Sequence, residues 1–162
     1  MSATSNFSLY AYSTDITPGL KLFYGDGQAY VGTHPPSFVL QSVNISLSET
    51  DESTEFVATP DRAMDWASQP TMYIDTTSDA FNPVGFTIGN ETVDNSSTVT
   101  RFGLYGGWAF HRDDEGIVEM KFYATPINET DIYLVRWNAG SSKTVDRISI
   151  SLRTVALIII TS

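Results

Sequence analysis

The stretch "SVNISLS", residues 42–48, alternates Val43, Ile45 and Leu47 with Asn44 and Ser46. Successive side chains of a strand point to opposite faces, so the pattern describes a ribbon with one dry and one wet side. "RISISLR", residues 147–153, repeats it, with Ile148, Ile150 and Leu152 against Ser149, Ser151 and Arg153. "IVEMKFYA", residues 117–124, sets Val118, Met120 and Phe122 on one face and Glu119, Lys121 and Tyr123 on the other. Period two over such runs is the signature of a half-exposed sheet.

Further strand candidates are "FSLYAY", "LKLFY", "QAYVG", "TEFVAT", "TMYID", "VGFTIG", "TVTRFGLYG" and "DIYLVRW". Turn-forming residues separate them at 17–19, 25–27, 34–36, 82–83 and 138–142. "YGDGQAYV" predicts a tight hairpin, because Asp-Gly accepts the positive φ values such a turn requires. Only "PDRAMDWASQP", Pro60 to Pro70, reads as a short helix, bounded by proline at both ends. About ten short strands and at most one short helix near 60–70 predict an all-β fold. We expect a single antiparallel β-sandwich domain, jelly-roll-like, over residues 1–162.

The formal charge of −10 and nine thinly scattered basic residues argue against nucleic acid, which needs clustered Lys and Arg. They also argue against adsorption to anionic membranes. The absence of cysteine removes disulfides, thiolate metal sites and cysteine nucleophiles. The opening "MSATSNFSLYAYS" has neither a basic nor an apolar leader region, so no secretory signal is seen. The expected location is cytoplasmic or non-classically secreted, or extracellular if the sequence is trimmed. The longest apolar run, "VALIII" at 155–160, is too short to span a bilayer and reads as a terminal strand.

The chemically richest stretch is "LYGGWAFHRDDEGIVEMKFYA", residues 104–124. It carries His111 and Arg112 beside Asp113, Asp114 and Glu115, then Gly116. Adjacent carboxylates on one turn rarely converge on a hard cation, and the alternating acids of a calcium loop are absent. We read the stretch as a hairpin with a charged loop and assign no metal, cofactor or catalytic residue. His34, before two prolines, is read as a loop residue. No nucleophile elbow, P-loop or dinucleotide glycine pattern occurs.

Five of the seven asparagines lie in Asn-x-Ser/Thr triplets: Asn6, Asn44, Asn90, Asn95 and Asn128. They are candidate glycan acceptors if the chain enters a secretory pathway. The alternative is that Ser and Thr follow Asn in turns for their local hydrogen bonds. Aromatic residues crowd the N-terminal third, and the tyrosines of "LYAYS" and "LFYGDGQAY" fall on both faces of their strands. Outward rings beside acid and amide groups suit a pyranose ring or a protein patch. On this reasoning Asp26, Gln28, Tyr30, Trp108 and His111 are the candidate ligand-binding residues.

"NFSLYAYSTDITPGLKLFYGDGQAYVG" and "MKFYATPINETDIYLVRWNAG" resemble segments of a group of small uncharacterised β-rich proteins of filamentous ascomycete fungi. The resemblance implies a fungal source and supplies no catalytic residue. The ending "VALIIITS" is more apolar than that pattern. The expected function is a non-enzymatic, lectin-like module binding carbohydrate or a protein surface. One alternative is a small isomerase or cyclase of fungal secondary metabolism, with His111 or an acid in a cavity and a displaced pKa. Another is a self-assembling structural protein, a homo-oligomer joined through strand edges and the 155–162 tail.

Overall fold

A computed structural model of the chain describes residues 6–50, 54–66, 68–77, 80–87, 96–138 and 148–154, and these carry sixteen strands and no helix. The first half holds β1 (Tyr10–Tyr12), β2 (Leu20–Gly25), β3 (Gln28–Gly32), β4 (Ser42–Glu49), β5 (Phe56–Pro60), β6 (Met72–Asp75), β7 (Phe81–Pro83) and β8 (Gly85–Phe86). The second holds β9 (Ser97–Thr98), β10 (Phe102–Tyr105), β11 (Trp108–Arg112), β12 (Val118–Glu119), β13 (Phe122–Pro126), β14 (Ile132–Asn138), β15 (Ile148–Ser149) and β16 (Ser151–Arg153). The all-β antiparallel expectation is met. No described helix is long and apolar enough to cross a membrane.

The strands follow the order β10-β11-β16-β1-β2-β3-β14-β13-β15, with β4 and β5 branching from β2 and β12 flanking β11. His111 on β11 packs its ring edge-on against Trp137 on β14, with centroids 5.7 Å apart. Strands far apart in the order therefore meet face to face. The sheet curls into a half-barrel, where the sequence suggested a two-layer sandwich of about ten strands. The chain helps close the curl at Ile150: β15 pairs with β13, and after one residue β16 pairs with β1 and β11.

Val43, Ile45 and Leu47 are all buried in the main core, as their alternation requires. Each such side chain contributes about 1.5–3 kcal/mol through burial. Leu22, Tyr24, Ala29 and Val31 enter the same core from the β2–β3 hairpin. Phe23 and Tyr30 leave by the opposite face and stack at 5.7 Å in a second small cluster with Ile132 and Val39. The hairpin turn itself is as read from sequence: Asp26 at φ 47° and Gly27 at φ 88° join Gly25 to Gln28.

The helix expected between Pro60 and Pro70 is absent from the residues described there. Pro60 ends β5, and the Asp61 N–H donates to the Asn44 carbonyl at 2.9 Å, which prolongs the strand pairing. Trp66 meets Tyr24 at 4.9 Å, and Pro70 accepts the Ala58 N–H at 2.8 Å, so sheet contacts outbid two turns of helix. "IVEMKFYA" is not one strand either. It breaks at Met120 and Lys121, and Val118 and Met120 are exposed rather than sharing the buried face of Phe122.

Candidate functional site

The 104–124 stretch forms two successive hairpins. Gly106 and Gly107, at φ 58° and 87°, turn β10 into β11. The β11–β12 loop is organised by Asp113, whose Oδ1 accepts the N–H groups of Glu115 and Ile117, both at 2.9 Å. Gly116 sits at φ 83°, a conformation that favours glycine. The charged turn is thus a hairpin loop, as read from sequence, and it also walls a cavity.

That cavity encloses about 340 Å³. Its rim is wet: the Arg101 and Asp114 side chains are 49% and 100% exposed and pair at 2.7 Å. Its floor is dry, with His111 3% exposed and Trp137 1% exposed. Thr76, Thr98 and Thr100 supply hydroxyls from a third side, and Thr98 and Thr100 hydrogen-bond each other at 3.2 Å. Arg101 reaches the rim from a backbone at φ 72°, held by its N–H to Thr54 Oγ1 at 2.8 Å and its carbonyl to the Arg112 N–H at 2.9 Å. A non-glycine residue in that conformation stores about 1–2 kcal/mol of strain.

His111 Nδ1 lies 3.2 Å from Glu119 Oε1, and Lys121 Nζ lies 2.9 Å from Glu119 Oε2. A carboxylate only accepts, so Nδ1 carries the proton and donates it. Burial pushes the His111 pKa below its ordinary value; the Glu119 hydrogen bond and charge oppose this, Arg101 adds to it, and Asp113 opposes it. The ring is therefore neutral near pH 7, with its lone pair on Nε2. That nitrogen is buried and has no hydrogen-bond partner among the described residues.

The five residues proposed from sequence fall in three places. Asp26, Gln28 and Tyr30 share the β2–β3 hairpin but brace a loop. Asp26 accepts the N–H groups of Leu40 and Gln41 at 2.9 and 2.7 Å. Tyr30 is 3% exposed, beneath Val39 of that loop, and its hydroxyl donates to Gln28 Oε1 at 3.3 Å. Burial first, then the Asp26 charge, raises the Tyr30 pKa and keeps the phenol neutral. The outward ring expected there is thus covered. Trp108 and His111, an odd three positions apart on β11, point to opposite faces. Trp108 lies under the Arg153 guanidinium, 4.3 Å from its ring centre, while His111 faces inward. Only His111 reaches the cavity. Sequence reasoning missed Arg101, Glu119 and the threonines as site residues; the cross-strand register of His111 with Phe102 and Glu119 was the signal that would have found them.

His34 is an exposed loop residue, 3.0 Å from Thr33 Oγ1. It lines a second cavity of about 360 Å³ with Asn44 and Asp61, both exposed, and half-buried Ser42. Among the described residues no three acids or histidines are disposed to hold a metal ion. Asn6, Asn44 and Asn128 are exposed, and Asn90 and Asn95 lie outside the described residues. No family model, curated protein or solved structure matches the chain.

Proposed function

We propose that the protein is a recognition module for a small, neutral, hydroxyl-rich ligand of the saccharide class, held in the Arg101–His111–Glu119 cavity. The observation that carries this reading is that the charged side chains of the cavity wall are already engaged by ion pairs or hydrogen bonds. Asp114 is spent on Arg101, Glu119 on His111 and Lys121, and Asp113 on its own turn. Each charged side chain of the wall thus already has a hydrogen-bonding partner among the described residues, while threonine hydroxyls and guanidinium N–H groups line the cavity beside them. The volume suits one or two sugar rings, at the small end of ligand pockets. This keeps the carbohydrate reading of the sequence and, of its five residues, His111, and replaces Asp26, Gln28, Tyr30 and Trp108 with Arg101, Glu119 and the threonines. A fungal source belongs to the same proposal and rests on the resemblance of residues 6–32 and 120–140. The self-assembly alternative draws on strand edges and on residues 155–162, the latter outside the described residues.

A glycan array and calorimetric titration with mono- and disaccharides test the reading. Arg101→Ala and Thr100→Val should each weaken binding about tenfold, the cost of about one hydrogen bond to a charged or partly buried group, while Gln28→Ala should change nothing. A blank array with folded protein, or binding lost in Gln28→Ala and retained in Arg101→Ala, sinks it.

A further inference from the structure

We infer that the outer face of β2, β1, β16, β11 and β10 is a second binding site, for an acidic saccharide that carries carboxylates on its rings. It lies on the opposite side of β11 from His111 and does not depend on the reading given for the cavity. The five strands are consecutive in the sheet, and none contains Asp or Glu, although the chain has 19 of them. Three of the nine basic residues fall on them: Lys21, Arg112 and Arg153. Ala11, Ala109 and Leu152 fill the core, so their neighbours Tyr10, Tyr12, Trp108 and Arg153 point outward. Register sets one row across the strands. Lys21 pairs with Tyr10, Tyr10 with Arg153, Arg153 with Trp108, and Trp108 with Tyr105. Paired residues share a face, and four strand spacings make the row about 19 Å long.

Arg153 is the centre of the row. Its guanidinium lies 4.3 Å from the Trp108 ring centre and 5.6 Å from that of Tyr12, so the planar fork is held before any ligand arrives. Among the described residues neither Arg153 nor Lys21 has a carboxylate partner. Of the Arg153 nitrogens only Nε is both buried and without a partner. Lys21, Tyr10, Arg153 and Trp108 are half-buried and Tyr105 is 72% exposed, so the row meets solvent along its length.

Charge complementarity selects the occupant. Two cations about 10 Å apart, two strand spacings, call for anions at separated points. The rings of Tyr10 and Tyr105 beside them are apolar plates that suit the C–H face of a pyranose. A uronic acid chain alternates ring face and carboxylate along its length. Single-stranded nucleic acid also combines rings and anions. Three cations on a chain of net charge −10 release too few counterions to hold it at physiological salt. A run of acidic residues in a peptide offers the anions without flat faces for the tyrosines.

The test is calorimetric titration with tetragalacturonate, tetramannuronate and a hyaluronan tetrasaccharide, each beside its methyl ester, and with hexaglutamate and an oligothymidylate. The wild type should bind at least one uronate about tenfold or more tightly than its uncharged ester, and lose affinity as salt rises. Arg153→Gln should weaken that binding about tenfold or more, and Arg153→Lys, which keeps the charge but not the fork, about threefold. Tyr105→Ala, at an exposed ring whose loss leaves the core untouched, should weaken it about threefold. Arg101→Ala in the cavity wall should leave uronate binding unchanged, and Arg153→Gln should leave neutral-sugar binding unchanged. No binding of any uronate, equal binding of acid and ester, or binding kept in both Arg153→Gln and Tyr105→Ala overturns the inference and leaves the cavity reading standing. Tighter binding of hexaglutamate or the oligothymidylate overturns it as well, by making the face a peptide or nucleic-acid site.

Discussion

Acid should destabilise this protein through His111 before its carboxylates titrate. Unfolded, the imidazole titrates near pH 6.5, whereas burial lowers its pKa in the folded chain. Below about pH 6.5 the unfolded chain takes up a proton that the folded chain refuses. Stability from this group is therefore complete above the unfolded value and is lost as pH falls from there towards the folded value. The loss is at most about 1.4 kcal/mol per pH unit, the equivalent of one proton. With a urea slope of about 2 kcal/mol per M, that moves the midpoint by at most about 0.7 M per pH unit. His111→Gln has no proton to gain, and its amide can still donate to Glu119. Urea titrations of both proteins from pH 5 to 7.5 separate the term, because carboxylate contributions common to both cancel in the difference. The wild type should lose ground to the variant steadily below pH 6.5. Parallel curves across that range would refute the claim that His111 stays neutral in a dry floor.

Three further substitutions probe the scaffold. Asp26→Ala removes the acceptor for the Leu40 and Gln41 N–H groups and should cost about 2 kcal/mol in urea unfolding, with faster hydrogen exchange at those two amides. Asp26→Asn, which keeps one carbonyl acceptor, should cost roughly half as much. Gly27→Ala forces a side chain into φ 88° and should cost about 1 kcal/mol or more without moving the cavity. Asn82→Ala removes a 2.6 Å hydrogen bond to Asp75. Burial would raise the Asp75 pKa, but hydrogen bonds from Thr77 and Asn82 outweigh it and hold it low. The loss, about 1 kcal/mol at pH 7, should therefore shrink as pH falls through the folded value of Asp75.

Alternation revealed strands wherever one face was wet. Val43, Ile45 and Leu47 could be assigned inward because Asn44 and Ser46 had nowhere else to point. It failed where the chain changed partners. Ile150 is buried as read, yet its neighbours belong to two strands paired with different parts of the sheet. Val118 and Met120 matched the spacing of Phe122, but β12 ends at Glu119 and Met120 falls in the break, so both side chains meet water. Tyr30 alternated outward correctly; what the pattern could not supply was the loop carrying Val39 that covers it. The face of His111 could be read from the sequence, since an odd offset separates it from Trp108. The cavity could not, because its walls join Thr76, Thr98 and Trp137 to the 111–119 hairpin through contacts that no local period encodes.

The central claim is that recognition happens at the Arg101–His111–Glu119 cavity and not at the aromatic hairpin around Tyr30. Chemical-shift mapping of the labelled protein during saccharide titration tests it most directly. The account predicts saturable shifts at Thr98, Thr100, Arg101 and His111, and at the indole N–H of Trp137, with Gln28 and Tyr30 unmoved. Shifts confined to Asp26, Gln28 and Tyr30, or to the exposed Phe38 and Leu40 of the neighbouring loop, would contradict it.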